Sequence, residues 1–417
     1  MYTVRAFAEI TLVVALIGLI SSSFFLVMVL MAAVRYRKRA AQARASANAI
    51  SSLPSVTVLK PLHGLEPRLA ENLASFFEQD YPDFEIIFGA RDADSMALSV
   101  VEQLRARYPH VKSSVVFSGP PSWPSAKVFS LDKMLAVACH KYLVISDSDV
   151  LASRDCLRQV VAPLLDPSVG FVTCMYEGTP TSGLWSLLEG LGMSVEMSSG
   201  VMVADMVEGM RFALGPVMAT RADVLKAIGG IATAAHYYSD DFVLGNLTWA
   251  AGYKVVLSQE IVGHVLTPLT LSQSFSHQLR WMQSTRYSRP SGHVGTGLTY
   301  AMPFGLLGLF TGLTTAHNLL GFGLFAAAYL NRVIQSIVVG WKVIGDKRAL
   351  RFCWLYPARD LLGFVVWAAS FMKRDFTWGG ENYHFERGGR IVPESRLADE
   401  IQPEPASTGD GEKVFTT

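Results

Sequence analysis

Thr11 to Val34, "TLVVALIGLISSSFFLVMVLMAAV", is an uncharged run of 24 residues, and it constrains this chain more than any other feature. The hydrocarbon core of a bilayer takes a helix of ~20 apolar residues, so the run can span it with some tilt. A soluble domain has little room to bury such a helix on every side. The run is too long for the centre of a signal peptide, and no small-residue cleavage site follows it. It is followed instead by "RYRKRAAQAR". Lys and Arg collect on the cytoplasmic side of a span, which places the N-terminus outside and the next segment in the cytosol. Composition agrees, because half of the 417 residues are apolar and only 17% are charged, fewer charges than in an ordinary soluble domain. A net charge of +1 leaves no basic excess for nucleic acid. Cys139, Cys156, Cys174 and Cys353 lack metal-type spacing and read as reduced cytosolic thiols.

From about Ser55 to Ser288 the texture changes to alternating strands and helices. "SVTVLK", "FEIIFGA", "SSVVFS" and "YLVISDSDV" read as strands. "PRLAENLASFFEQ", with Leu69, Leu73, Phe76 and Phe77 on one face, "SMALSVVEQLRARYP" and "LDKMLAVACH" read as helices. This alternation predicts an α/β domain with a mostly parallel, Rossmann-like sheet. Ligands then bind beyond the carboxyl ends of the strands, where Asp92, Asp147 and Asp149 fall.

After Gly292 the chain turns apolar again. "LTYAMPFGLLGLFTGLTTAHNLL" and "FGLFAAAYLNRVIQSIVVGW" read as two spans joined near 317–321, returning to Lys342, Lys347, Arg348 and Arg351. "LLGFVVWAASFM" is shorter and has basic residues on both flanks, which favours a re-entrant or interfacial segment over a third span. The expected organisation is therefore an N-terminal transmembrane helix with its basic flank (1–45), a cytosolic domain (46–292), C-terminal membrane segments (293–380) and a polar, disordered tail (381–417).

"VISDSDV" ends a strand in two carboxylates. Two like charges about 5 Å apart repel by roughly 3 kcal/mol at an effective dielectric near 20. A divalent cation reverses that sign, and Mg²⁺ characteristically combines one or two carboxylates with substrate phosphates. By itself the pattern more often marks a solvated turn or a cap. Asp240 and Asp241 in "HYYSDDFVLGNL" can be first-turn acids of a helix capped by Ser239.

"LKPLHGLEPRLAENLASFFEQDYP", "RDAD", "SDSD", "SDDF" and "HQLRW" occur in that order. Together they resemble the GT-A glycosyltransferases related to ceramide glucosyltransferase, a group that includes a bacterial hopanoid-associated branch. The resemblance covers about Val56 to Trp281 and continues faintly into "TWGGENYHFERGGR". The opening "KPLHGLEP" stretch is its most specific part.

The resemblance implies roles by position. Asp92 would hold the uracil or ribose of a UDP-sugar, although it also suits a turn after a strand. Asp147 and Asp149 would bind Mg²⁺ or Mn²⁺ and the diphosphate. Lys127 matches a lysine near the donor, with a surface lysine as the alternative. Asp241 would be the general base, kept ionised by its helix N-terminus. Asp240 would help hold the sugar. Arg280 would present a planar charged fork to the leaving diphosphate. Trp281 would floor the acceptor pocket. His277 would join the UDP-sugar-binding residues, but it stands where relatives usually carry Gln or Arg, so its exact duty is open. The same helix also fits an interfacial role through snorkelling Arg and Trp. The methionine-rich "SLLEGLGMSVEMSSGVMVADM" is either packed helix or an adaptable apolar surface for a lipid.

The implied activity is inverting, metal-dependent transfer of a sugar from a UDP-sugar to a lipid hydroxyl at a bacterial inner membrane, by a multi-pass protein with its catalytic domain in the cytosol. N-acetylglucosamine onto a hopanoid polyol is the expected pair, with glucose onto ceramide as the alternative. A processive polysaccharide synthase would need more spans. A nucleotide-sugar sensor would not need Asp241 or Arg280.

Overall fold

The computed structural model describes residues 2–394, with side chains from residue 7 onward. It begins with helix α1 (Tyr2–Asn48), so that the apolar run and its basic flank form one continuous rod. The flank lies against the following domain. Arg39 reaches Asp205 at 2.5 Å, and Arg44 reaches Asp155 at 3.2 Å and Glu260 at 3.0 Å.

The next region alternates as expected: β1 (Val56–Pro61), α2 (Leu69–Phe77), β2 (Phe84–Ala90), α3 (Ala97–Arg107), β3 (Lys112–Phe117), α4 (Ala126–Leu135) and β4 (Tyr142–Ser146). The β-branched runs at 56–58, 86–87 and 143–145 are buried on both sides, which is the texture of a sheet sandwiched between helices. The third helix differs from the sequence expectation. It starts five residues earlier, because Ser125 caps it by accepting from Val128 N at 3.3 Å. This puts Lys127 in its first turn.

Then come β5 (Val150–Leu151), α5 (Cys156–Val161), β6 (Val169–Pro180), α6 (Leu184–Leu191), α7 (Ser198–Val207), β7 (Val217–Arg221), α8 (Ala222–Ala227), α9 (Asp240–Ala250) and β8 (Lys254–Leu266). A wide π-type turn at Gly192–Met197 joins α6 to α7. The eight strands lie in the order β3-β2-β1-β4-β7-β6-β8-β5. β3, β2, β1 and β4 are parallel, β7 runs antiparallel to both of its neighbours, and β8 is parallel to β6. The expected α/β, mostly parallel, Rossmann-like sheet is thus present. β1 is flanked by β2 on one side and β4 on the other, so the strand order reverses there. A crevice opens at the carboxyl ends beside such a reversal.

The chain continues through α10 (Leu271–Ser288), α11 (Pro290–Thr296), α12 (Met302–Thr314) and α13 (Asn318–Gln335), the last running on as a π-type turn to Val343. Two helical stretches among the described residues are long and apolar enough to cross a membrane, 7–48 and 318–343. The expected first arm of the C-terminal hairpin falls short. α12 has 13 residues, about 20 Å of helix against a hydrocarbon core of ~30 Å. It packs on α13 through Gly305, Gly308 and Gly312, where a Cβ would collide with Ala328, Leu324 or Gly321. α14 (Lys347–Arg351) and α15 (Tyr356–Ala369) follow, and α15 with 14 residues is also too short to cross.

The tail begins later than the sequence suggested. β9 (Asp375–Trp378), β10 (Glu381–Phe385) and β11 (Ile391–Pro393) form an antiparallel sheet. Phe376, Tyr383, Phe385 and Ile391 are its core, packed on Tyr238 and Tyr287. The rest of the tail expected to be disordered, residues 395–417, lies outside the described residues.

Candidate active site

β4 stops at Ser146, and Asp147, Ser148 and Asp149 form the turn beyond its carboxyl end. Lys60, at the end of β1, fixes that turn from beneath. Its Nζ donates to Ser146 Oγ at 3.1 Å and to the Asp147 carbonyl at 2.6 Å. It also lies 3.9 Å from the centre of the Phe76 ring. Burial pulls this lysine down to about 7, against the attraction of Asp147 and Asp149.

Lys127 bridges two of the candidate acids. Its Nζ is 2.8 Å from Asp147 Oδ1 and 3.3 Å from Asp240 Oδ2. Burial works against its charge, but Asp147 and Asp240 more than offset that and hold the ammonium above its ordinary value. Asp240 and Asp241 open α9. Asp241 Oδ1 accepts from Phe242 N at 2.8 Å, which leaves Oδ2 for other partners. A Cβ on Gly215 would lie 3.3 Å from that Oδ2 and 3.8 Å from Asp147 Oδ2. The glycine therefore leaves uncrowded the space next to both carboxylates.

The protonation of Asp241 departs from the sequence expectation. A helix N-terminus favours the carboxylate, but burial, followed by the neighbouring Asp240 charge, raises Asp241 to about 7 despite Lys127. Desolvation outweighs the dipole because the helix end is covered. Glu66 behaves alike: burial and then Asp149 push it up to about 7, with a Ser148 hydrogen bond opposing.

Asp149 faces His264 on β8. Their Oδ1 and Nδ1 atoms are 3.6 Å apart, buried, and without hydrogen-bond partners among the described residues. Glu66 Oε2 is buried and unpaired as well. Tyr176 stacks near His264 with ring centres 5.5 Å apart, and burial together with Asp241, Asp149 and Asp147 raises its phenol.

Arg280 lies beside Tyr238, whose phenol burial raises and Arg280 lowers, with Asp241 also within its field. Arg280 Nε is buried without a partner. Trp281 packs on His277 with ring centres 4.2 Å apart. His277 Nδ1 is 2.6 Å from Oε1 of the buried Glu189, whose Oε2 accepts from Ser274 at 2.6 Å. Asp92 is exposed in the loop after β2, and no hydrogen bond or ion pair joins it to these acids among the described residues.

The structure thus brings together Lys127, Asp147, Asp240 and Asp241, sets Asp149 on the same turn, and places Arg280 next to this group through Tyr238. His277 and Trp281 share the face of α10 that carries Arg280. Lys60, Glu66, Glu189, Tyr238 and His264 escaped the sequence reading. Two signals were available: "KPLHGLEP" contains the first two, and Glu189 is a lone charge in an apolar helix, which is seldom buried unless paired.

The donor set fits a divalent cation. Asp149 Oδ1, His264 Nδ1 and Glu66 Oε2 are orphaned buried polar atoms, and carboxylate oxygens suit Mg²⁺ or Mn²⁺. No group of three or more such residues is already in ligand geometry among the described residues.

Comparisons with known proteins bear on what this arrangement does. The model of glycosyl transferase family 21 matches residues 13–391. Ceramide glucosyltransferase 3 of Caenorhabditis elegans is 21% identical over 393 residues, covering 92% of this chain and 84% of its own. Ceramide glucosyltransferase 1 of the same organism is 21% identical over 345 residues, with 82% and 73% covered. Among solved structures, a mannosyltransferase from Pyrobaculum calidifontis in complex with GDP-Man and Mn²⁺ aligns with a TM-score of 0.45 at 18% identity, over 84% of this chain and 97% of that one.

Proposed function

The chain belongs to glycosyl transferase family 21, and we propose that it moves a sugar from a UDP-sugar to the hydroxyl of a membrane lipid, with inversion. The observation that carries this reading is the convergence of Asp241 Oδ2 and Asp147 Oδ2 on Gly215, where an added Cβ would lie 3.3 and 3.8 Å from them. A proton acceptor and a diphosphate site then lie close together, beside a residue with no side chain to crowd them.

Asp147 and Asp149, with His264 and Glu66 beside them, would hold Mg²⁺ or Mn²⁺ together with the diphosphate. When bound, such an ion supplies positive charge to the leaving diphosphate. Lys127 neutralises Asp147 and Asp240 and keeps both within reach of the donor. Asp241 Oδ2 takes the proton of the lipid hydroxyl, and its raised affinity for protons matches a general base working near neutral pH. Arg280, with Nε free, adds a fixed donor at the leaving oxygens. Asp240 orients the sugar, and Trp281 with His277 borders the acceptor. Asp92, from its exposed loop, contacts the nucleoside once the donor is bound. Attack from the face opposite the diphosphate converts an α-linked donor into a β-glycoside.

The "RDAD…SDSD…HQLRW" pattern favours N-acetylglucosamine and a hopanoid polyol. The similarity to ceramide glucosyltransferases favours glucose and ceramide as a second reading. In both, α1 and 318–343 seat the protein in a bacterial inner membrane with the sheet domain in the cytosol. Membranes containing the full chain, given labelled UDP-N-acetylglucosamine or UDP-glucose with each lipid, test both. The expected result is one lipid glycoside, lost in Asp241→Asn with UDP binding retained. Nucleotide release with no lipid product in any combination overturns the reading.

A further inference from the structure

Residues of α1, α7, α10, α11 and α13 line a cavity of about 510 Å³, within the range of ~300–1,000 Å³ usual for small-ligand sites. Its walls are mostly apolar, from Phe25 and Met28 of α1 and Val203 and Val207 of α7. Its deep side is polar. Arg332 and Asp360 there satisfy each other at 3.1 Å, and Asp360 Oδ2 also accepts from Ala301 N and Met302 N.

Gln335 is the exception. It lines the cavity and is 1% exposed. Its Nε2 donates to Ser199 Oγ at 2.8 Å, and Ser199 spends its own proton on the Val195 carbonyl at 2.6 Å. The hydroxyl can therefore only accept from Gln335, which fixes the amide orientation. Gln335 Oε1 is left buried without a partner, a state that native interiors rarely tolerate unless a ligand or water completes it.

The two ends of the cavity say what fits. At one end exposed apolar side chains, Phe24, Val207, Val294 and Leu298, surround lining residues and continue the apolar outer face of α1. At the other, Phe212 lines the cavity and stacks on Phe242, the residue after Asp241, with ring centres 6.2 Å apart. Thr285, also lining it, donates to the Trp281 carbonyl at 3.0 Å. The lining thus joins the exposed apolar flank of α1 to side chains that touch Phe242 and Trp281.

We propose that this cavity holds a hydrocarbon chain of the acceptor lipid, and that Gln335 Oε1 accepts a hydrogen bond from an amide N–H or hydroxyl on that lipid's backbone. The inference rests on the lipid-glycosylating reading and gives it a second recognition point, distinct from the hydroxyl that reacts.

Gly200 and Gly295 line the cavity, and a Cβ at either meets no atom within 4 Å. Gly200→Phe and Gly295→Phe therefore fill the space without a backbone clash. The full chain in phosphatidylcholine nanodiscs is photolabelled with ceramide and with bacteriohopanetetrol, each bearing a diazirine on its hydrocarbon part, and with diazirine phosphatidylcholine as the control. We expect one of the first two to label peptides within 196–208 and 292–300, at least about tenfold less in either filled variant, with UDP binding unchanged. Gln335→Leu is expected to raise KM for the acceptor several-fold, up to about tenfold, at unchanged kcat. Undiminished labelling in both filled variants, or equal labelling by phosphatidylcholine, overturns the cavity assignment even where transfer is intact. Cavity labelling without any glycoside product overturns the enzymatic reading and leaves the lipid site standing.

Discussion

Asp149 Oδ1 and His264 Nδ1 face each other at 3.6 Å, both buried and neither hydrogen-bonded among the described residues. The short strand β5 creates this pair. It pairs antiparallel with β8 in the register Val150↔His264, and Val265 N donates to the Asp149 carbonyl at 2.9 Å. Two unsatisfied ligand-type atoms at that spacing can both reach one cation lying off the line that joins them, at bonds of ~2.1 Å. His264→Ala is expected to weaken Mn²⁺ affinity by about 10- to 100-fold, the cost typical of disturbing a metal's surroundings. Calorimetric titration of Mn²⁺ with UDP present reads this directly. An unchanged titration would remove His264 from the ligand set.

Asp241 sets a pH dependence with a definite sign. Its folded-state proton affinity is raised, to about 7, so the base is protonated below that value and kcat/KM is expected to rise as pH increases through it. A bound cation adds positive charge nearby and moves the midpoint down. The same shift acts on stability. Between the unfolded carboxylate value and about 7 the native state holds more protons than the unfolded one, so the metal-free protein loses stability as pH rises across that window. Glu66, also near 7, adds to the loss. Above about 7, Lys60 reverses the trend, because the native state then holds fewer protons than the unfolded one. Thermal melts in chelator should show a minimum near neutral pH, made shallower by Asp241→Asn. A monotonic profile, unaltered in the variant, contradicts this account.

Glu189 and His277 act as a unit. The carboxylate is buried, and it holds the imidazole Nδ1 at 2.6 Å and Ser274 at 2.6 Å. This fixes which ring nitrogen is free, and it holds the ring against the Trp281 indole, tilted at 48°. Glu189→Gln is expected to lower kcat about tenfold while donor affinity stays put. His277→Gln should cost less, since a side-chain amide can take the same position. The two changes should be strongly non-additive when combined, as for residues in one network. Additive losses within the scatter of the assay would show that the pair does not act through one contact.

How much of this was legible in the sequence depends on the range of the interaction. β1 to β4 and the helices between them follow from local runs such as "TVL" at 57–59 and "EII" at 85–87, whose burial the sheet order then explains. The aspartates at 147 and 149 follow from their place after such a run. His264 was invisible because it gains meaning only through a strand register linking residues 114 positions apart, 150 and 264. The raised proton affinity of Asp241 was not legible, because the helix dipole is local and readable whereas burial depends on the whole fold. The small terminal sheet left a signal that went unread. Gly379 and Gly380, at φ of 60° and 88°, make the tight turn between "DFTW" and "ENYHF", and a Gly-Gly pair between aromatic strands is a hairpin signature.

Lys127 supplies the last expectation. It is the ammonium placed between Asp147 and Asp240, at 2.8 and 3.3 Å, with Asp241 adjoining. Three carboxylates collected beyond a strand and at a helix end repel one another, and without a counter-charge the fold carries that cost. Lys127→Met removes the counter-charge while keeping most of the stem. In chelator the variant should melt several degrees below the parent, because the acids are then uncompensated and buried. Saturating Mn²⁺ with UDP should recover most of the difference, since binding to the native state alone stabilises it by mass action. A loss of equal size with and without the ion would mean that Lys127 packs rather than balances charge.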